Sequence, residues 1–225
     1  MFDTEIAAAR TYVARCLGSF GTGHDLDHTL RVTANAGRLC DELPDADRLT
    51  VLLAAMLHDI GRPVEHCSGG RVCHAQVGSV LAREYLRSRS AISSTRREAV
   101  VSAVARHRYR MISMRPETLE EKILFDADKL DSLGAVGIGR AFLFAGACNS
   151  RLHNKASEAL AGEAYGREDS AYREYLVKLR HLPEAMQTLP GKALARERLQ
   201  YMTDFFRQLD LEIYGEIQSD GEVTE

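Results

Sequence analysis

The sequence has no tryptophan, only five prolines and five cysteines, and no excess of basic charge. Absence of tryptophan excludes nothing, but the other shortages do. Five cysteines are an odd number with no regular framework, which argues against a disulfide-built extracellular domain. The net charge of -3 comes from 29 basic and 32 acidic residues mixed along the chain, so no footprint for a nucleic-acid polymer is present. Lack of an N-terminal signal pattern and of a long apolar span leads to the expectation of a soluble protein of the reducing cytoplasm with no membrane partner. Strand alternation and internal repeats are also missing, which sets the expected fold class as all-α. With 225 residues and 45% apolar content the chain can bury a full core, and one domain over residues 1–215 with a frayed tail at 216–225 is expected.

What is present is organised around Thr50 to Pro63. Seven consecutive apolar residues, Val51 to Leu57, read as a helix buried around most of its circumference, and the run ends in His58 beside Asp59. Burying a carboxylate without a partner costs several kcal/mol, roughly, so the doublet calls for a counter-charge, which a divalent cation supplies. Gly61 and Pro63 are expected to stop the helix, leaving both side chains at a helix end that faces a cavity.

Helical spacing extends along most of the chain. Residues 3–17 carry apolar positions at Ile6, Ala9, Val13 and Leu17, and a glycine-containing stretch at 18–23 ends them. The next helix holds Leu30, Val32, Ala36 and Leu39, with His24 and His28 four residues apart at its start. Glycine and serine content marks 65–73 as a loop, and helices follow from His74 and from Ser93 or Ser94 to His107. A connector at 108–116 leads to Thr118-Leu119-Glu120-Glu121, a capping-box pattern opening a helix that ends in Asp126, Asp128 and Asp131. Gly134 to Phe144 superficially resembles a phosphate loop, yet no strand precedes it, which argues against a dinucleotide fingerprint. Residues 150–170 read as a polar surface excursion or lid, and two helical patterns, 172–182 and 193–214, follow.

His28, His58, Asp59 and Asp128 thus each fall at or near the end of an apolar helical stretch. Taken singly, a buried histidine is more often a hydrogen-bonded packing residue than a ligand. Two imidazoles with two carboxylates, however, make a mixed nitrogen and oxygen set suited to a first-row divalent metal with positions left open for water and substrate. Such an ion acidifies water and takes up charge on phosphoryl oxygens. A competing pattern, His66-Cys67 and Cys73-His74, offers two thiolates and two imidazoles for a tetrahedral zinc, but it lacks CxxC spacing and reduced free thiols are expected instead.

The ordered signature H, HD, D, carried by His28, His58-Asp59 and Asp128, resembles that of the HD superfamily of metal-dependent phosphohydrolases. The run Asp126 to Phe142, together with Lys178 to Gly191 and Ala195 to Arg198, is similar to a bacterial branch of stand-alone HD proteins, some of which hydrolyse nucleoside triphosphates to monophosphates. The resemblance covers about residues 20–212. It implies an HD-domain helical bundle with a core at about 20–135 and accessory C-terminal helices, and His28, His58, Asp59 and Asp128 as metal ligands.

Further roles follow from the same resemblance. His24 matches a histidine that protonates the leaving oxygen in related cyclic-nucleotide phosphodiesterases, and Arg62 stands where many HD proteins carry a basic residue able to grip phosphate. His74 and His107 occur in the order of histidines that build a second metal site in some HD enzymes, with contact to substrate phosphate as the alternative. Glu65 could then position the attacking water. Asp131, three residues beyond Asp128 on the same helix face, is a candidate for supporting the site or meeting a ligand hydroxyl. Manganese or magnesium is favoured as cofactor, with cobalt, nickel, iron or zinc compatible with the ligands. The expected partner is a small phosphorylated substrate, a nucleotide by preference, with a homodimer as a further expectation. Rival readings are a phosphodiesterase or phosphomonoesterase acting on another metabolite, a metal- and nucleotide-binding regulatory module without turnover, and a metal-free helical scaffold.

Overall fold

The computed structural model describes residues 2–18, 23–108 and 114–217, so the stretch 18–23, the connector 108–116 and the tail 216–225 lie partly outside the described residues. The described chain is helical throughout and holds no strand, in agreement with the all-α expectation. It forms two compact units, Met1–Asp128 with Met186–Gly191, and Lys129–Ala185 with Lys192–Glu225. No single helix among the described residues is long and apolar enough to cross a membrane.

The first unit is built around α3 (Arg48–Leu57), in which every residue from Thr50 to Leu57 is buried. Helices α1 (Phe2–Leu17), α2 (Leu26–Glu42) and α6 (Ser94–Arg106) pack against it, which explains why its apolar residues run all the way round instead of forming a stripe. Asp47 caps α3 by accepting from the amides of Leu49 and Thr50, at 3.2 and 3.3 Å. Asp25 caps α2 through the amide of His28 at 2.9 Å, so His28 stands in the first turn and His24 precedes the helix. The two histidines are therefore not stacked on one helical turn.

Pro63 starts a helix where the sequence suggested a stop. It lies in the first turn of α4 (Arg62–Cys67), a position where its missing N–H is no loss, and that helix takes the first three residues of the expected loop at 65–73, the rest of which is irregular. The start of α4 meets α5 (His74–Arg87) closely: a Cβ on Gly61 would lie 2.2 Å from the carbonyl oxygen of His74 and 2.7 Å from the amide of Gly78. Both obstacles are backbone. Gly61→Ala is accordingly expected to destabilise the protein by about 2–4 kcal/mol, read as a lower thermal midpoint, and a melt unchanged from wild type would refute the close approach.

The capping box forms as expected at the start of α7 (Leu119–Leu130), with Glu121 N to Thr118 Oγ1 at 3.3 Å and Thr118 N to Glu121 Oε2 at 3.2 Å. A buried amide, Asn35, donates to Ala127 O at 3.2 Å and fixes α7 on α2. Asp126 is fully buried and accepts from Gln187 N, Thr188 N and Thr188 Oγ1 at 2.8, 2.8 and 2.7 Å.

The second unit contains α8 (Gly134–Ala147), α9 (Ala156–Ala161), α10 (Ala171–Val177), a 3-10 turn at Leu179–His181, α11 (Leu182–Ala185) and most of α12 (Leu189–Tyr214). Segment 150–170, expected as a polar excursion, supplies part of its core. Buried His153 meets Asp210 of α12, Nε2 to Oδ1, at 2.7 Å among the rings of Tyr172, Phe206 and Tyr214, and Ser170 Oγ donates to Asn154 Oδ1 at 2.6 Å. Burial of these polar side chains is offset by the bonds between them, although His153 Nδ1 is left without a partner among the described residues.

Candidate metal centre

The end of α3 delivers two donors in succession. His58 is the C-cap of α3 and its Nδ1–H donates to Ala55 O at 2.7 Å, which commits the other nitrogen, Nε2, to presenting a lone pair. That lone pair faces His28 Nε2 at 3.3 Å, Asp59 Oδ2 at 3.5 Å and Asp128 Oδ1 at 3.9 Å. His28 Nε2 lies 3.6 Å from Asp59 Oδ2 and 3.5 Å from Asp128 Oδ1. The first turn of α2, the end of α3 and the far part of α7 thus bring together the four residues that the signature singles out.

The other oxygen of Asp59 faces a second group. His107, the C-cap of α6, repeats the device of His58 by donating Nδ1–H to Val104 O at 2.7 Å, while His74 turns Nδ1 to the Glu65 carboxylate at 3.0 Å. Their Nε2 atoms stand 3.3 Å apart and 3.5 and 3.6 Å from Asp59 Oδ1. Lone pairs confronting each other and a carboxylate oxygen repel unless a cation lies among them. Ligand atoms held at about 2.1 Å from a common centre are separated by roughly 3.0–3.4 Å, close to the spacings found here, so the donors fit a divalent cation by chemistry and by distance.

Burial sets the charges. It pulls His58 down to about 3 and His74 down to about 4, against the opposing pull of Asp59, so both imidazoles are neutral at ordinary pH, as ligands must be. Burial works to raise Asp59, but His58, Arg62 and His24 more than offset it and hold the carboxylate well below its usual range. His24 is lowered, again chiefly by burial and in opposition to Asp59, to which its Nδ1 is bonded through Oδ2 at 2.7 Å.

The remaining candidates are placed as follows. Arg62 does not project freely: Nε donates to Asp59 Oδ1 at 3.0 Å and Nη1 to Glu65 Oε2 at 2.9 Å. Glu65, suggested by sequence as a partner for water, instead links Arg62 and His74. Asp131 is buried in the second unit, where Arg140 Nη1 donates to its Oδ2 at 3.0 Å, and the metal-competent groups among the described residues do not include it. Nor do they include Cys67 or Cys73. Sequence reading missed the two backbone acceptors, Ala55 O and Val104 O, that aim the histidines. Their signal is the position of each histidine three residues further along the same helix.

A helical unit that converges imidazoles and carboxylates from five helices on an ionised aspartate defines a metal-dependent hydrolase. The HD domain model matches residues 25–133. Bacillus subtilis YpgQ, an uncharacterized protein, is 33% identical over 209 residues, 92% of either chain. Its crystal structure in complex with ADP superposes with a TM-score of 0.72 at 31% identity, covering 96% of this chain and 99% of that one. An HD-superfamily hydrolase from Bacillus thuringiensis gives a TM-score of 0.71 at 26% identity over 94% of this chain and 98% of that one. Ribonuclease Y of Thermoanaerobacter pseudethanolicus is 32% identical over 107 residues, 48% of this chain but 18% of that protein. The chain belongs to the HD superfamily of metal-dependent phosphohydrolases.

Proposed function

We propose that the enzyme hydrolyses nucleoside triphosphates to monophosphate and pyrophosphate, with manganese or magnesium as its ion. The observation that carries the nucleotide is the ADP bound in crystals of YpgQ, which matches this chain over nearly its whole length. His28, His58, Asp59 and Asp128 hold the principal cation, and His74, His107 and Asp59 Oδ1 form the second cation position. A divalent ion in such a site acidifies water and neutralises charge on phosphoryl oxygens. Arg62 keeps Asp59 ionised and oriented, Glu65 holds His74 by Nδ1, and both tasks fix donors before substrate arrives. His24 donates Nδ1–H to Asp59 and has Nε2 without a partner among the described residues, which suits Nε2 to take up a proton from the attacking water and return it to the leaving oxygen.

The local match to a ribonuclease favours one alternative, hydrolysis of a phosphodiester. A screen over manganese, magnesium, cobalt and nickel, following pyrophosphate and orthophosphate separately from nucleoside tri-, di-, mono- and cyclic phosphates, decides between them. Pyrophosphate from triphosphates is the expected result, and opening of cyclic phosphates with no pyrophosphate would select the diester reading. In the same preparations, metal analysis of His107→Ala is expected to give about one ion per chain against two in the wild type. Equal contents would remove the second position.

A further inference from the structure

Charge at the centre is unevenly met. Asp59, Asp128 and Glu65 contribute three carboxylates, and Arg62 is committed to two of them, to Asp59 through Nε and to Glu65 through Nη1. A cation balances what is left of the protein's own charge, but a polyphosphate brings several more negative charges and needs donors that are not already engaged.

Arg108 supplies them. It directly follows His107, so its backbone is held at the end of α6 by the bond from His107 to Val104 O. Its tip reaches across to the start of α5, where Nη1 donates to Cys73 Sγ at 3.1 Å, and Nη2 approaches Glu65 Oε1 only to 3.8 Å. A thiol is a weak acceptor and the second contact is longer than a hydrogen bond, so among the described residues most of the guanidinium fork is uncommitted. The side chain is 32% exposed, more than the 22% of Arg62. A chain of contacts, Arg108 to Glu65, Glu65 to His74 Nδ1 and His74 Nε2 to Asp59 Oδ1, joins its tip to the second histidine group.

We infer that Arg108 grips the phosphates beyond the scissile bond and so selects polyphosphate over monophosphate substrates. This rests on the triphosphate reading for its substrate, but not for its test. Geometry gives the division of labour: Arg62 is spent on the protein's own carboxylates, whereas Arg108 has a fixed base, a loosely held tip and a planar fork that matches two phosphate oxygens at once.

The test compares binding of inorganic tripolyphosphate and orthophosphate by metal-loaded wild type, Arg108→Ala and Arg108→Lys, by calorimetry, with metal content measured in each. Arg108→Ala is expected to weaken tripolyphosphate about tenfold to a hundredfold and orthophosphate much less, at wild-type metal content, with Lys restoring part of the loss. Equal tripolyphosphate affinity in wild type and Arg108→Ala, or no binding by wild type, would overturn the assignment. So would a loss that comes with a loss of metal, because Arg108 would then act through Glu65 and His74. The two readings fail separately. Wild type that releases no pyrophosphate from triphosphates, yet loses tripolyphosphate binding in Arg108→Ala, sinks the substrate and keeps the residue.

Discussion

Asp59→Ala lowers bound metal to near zero and slows hydrolysis by on the order of 10³-fold or more, with helix content nearly unchanged. The size of the effect follows from the two faces of one side chain. Oδ2 lies 3.6 and 3.5 Å from the Nε2 atoms of His28 and His58, and Oδ1 lies 3.5 and 3.6 Å from those of His74 and His107. Without the carboxylate, the imidazoles lose the negative charge that draws a cation among them, and Arg62 and His24 lose the partner they share. The fold tolerates this because α3 is held by apolar burial from Val51 to Leu57, and His58 keeps its bond to Ala55 O. Asp59→Asn is the sharper variant. It preserves volume, but its amide can donate to an imidazole nitrogen and so fill by hydrogen bonding the place a cation would take. Metal analysis, hydrolysis rate and far-UV circular dichroism measure the three quantities together. Full metal content in Asp59→Ala would sink the assignment of the centre.

Asp126→Ala produces the largest expected loss of stability, about 3–5 kcal/mol, or roughly 10 °C in thermal midpoint. The carboxylate is fully buried and receives two backbone amides and a hydroxyl from Gln187 and Thr188, while Thr188 Oγ1 also accepts from Gly191 N at 3.1 Å. Truncation leaves those donors buried with no acceptor. Asp126→Asn retains an acceptor oxygen and is expected to cost about half as much. Gly191 approaches the same group from the other side. A Cβ there would stand 2.2 Å from Asp126 Oδ2 and 2.8 Å from Thr188 Oγ1, so Gly191→Ala should reproduce much of the loss. Melts of Asp126→Ala and Gly191→Ala that both match wild type would show that the segment is not fastened here.

These two aspartates mark where sequence is readable. Asp59 is legible because an apolar run with no polar face ends in it, and few arrangements other than a charged centre make such burial tolerable. His74 and His107 carry no comparable local pattern and emerge only through resemblance. Asp126 sits two residues before Asp128 and reads as one more acid on the same helix; its partners are about sixty positions away, and no periodicity announces them. Burial of His153 depends likewise on Asp210, 57 residues on. Pro63 was legible as a helix boundary but not as to which side, because proline is compatible with the first turn of a helix and with the residues after one. Arg62 carries the right charge for phosphate, yet its reach to Asp59 and Glu65 depends on the turn into α4, which sequence presented as irregular.

The bonds from His58 to Ala55 O and from His107 to Val104 O carry a last consequence. Each ring closes the final turn of a helix and, with its other nitrogen, faces the centre. Because one ring does both, occupancy at Nε2 and fraying of α3 and α6 are reciprocal: whatever free energy an occupant gains from a closed helix end, the helix end gains from the occupant. Slow amide exchange at these two termini and tight retention of the ion are therefore a single coupling constant, read once from the backbone and once from the solution.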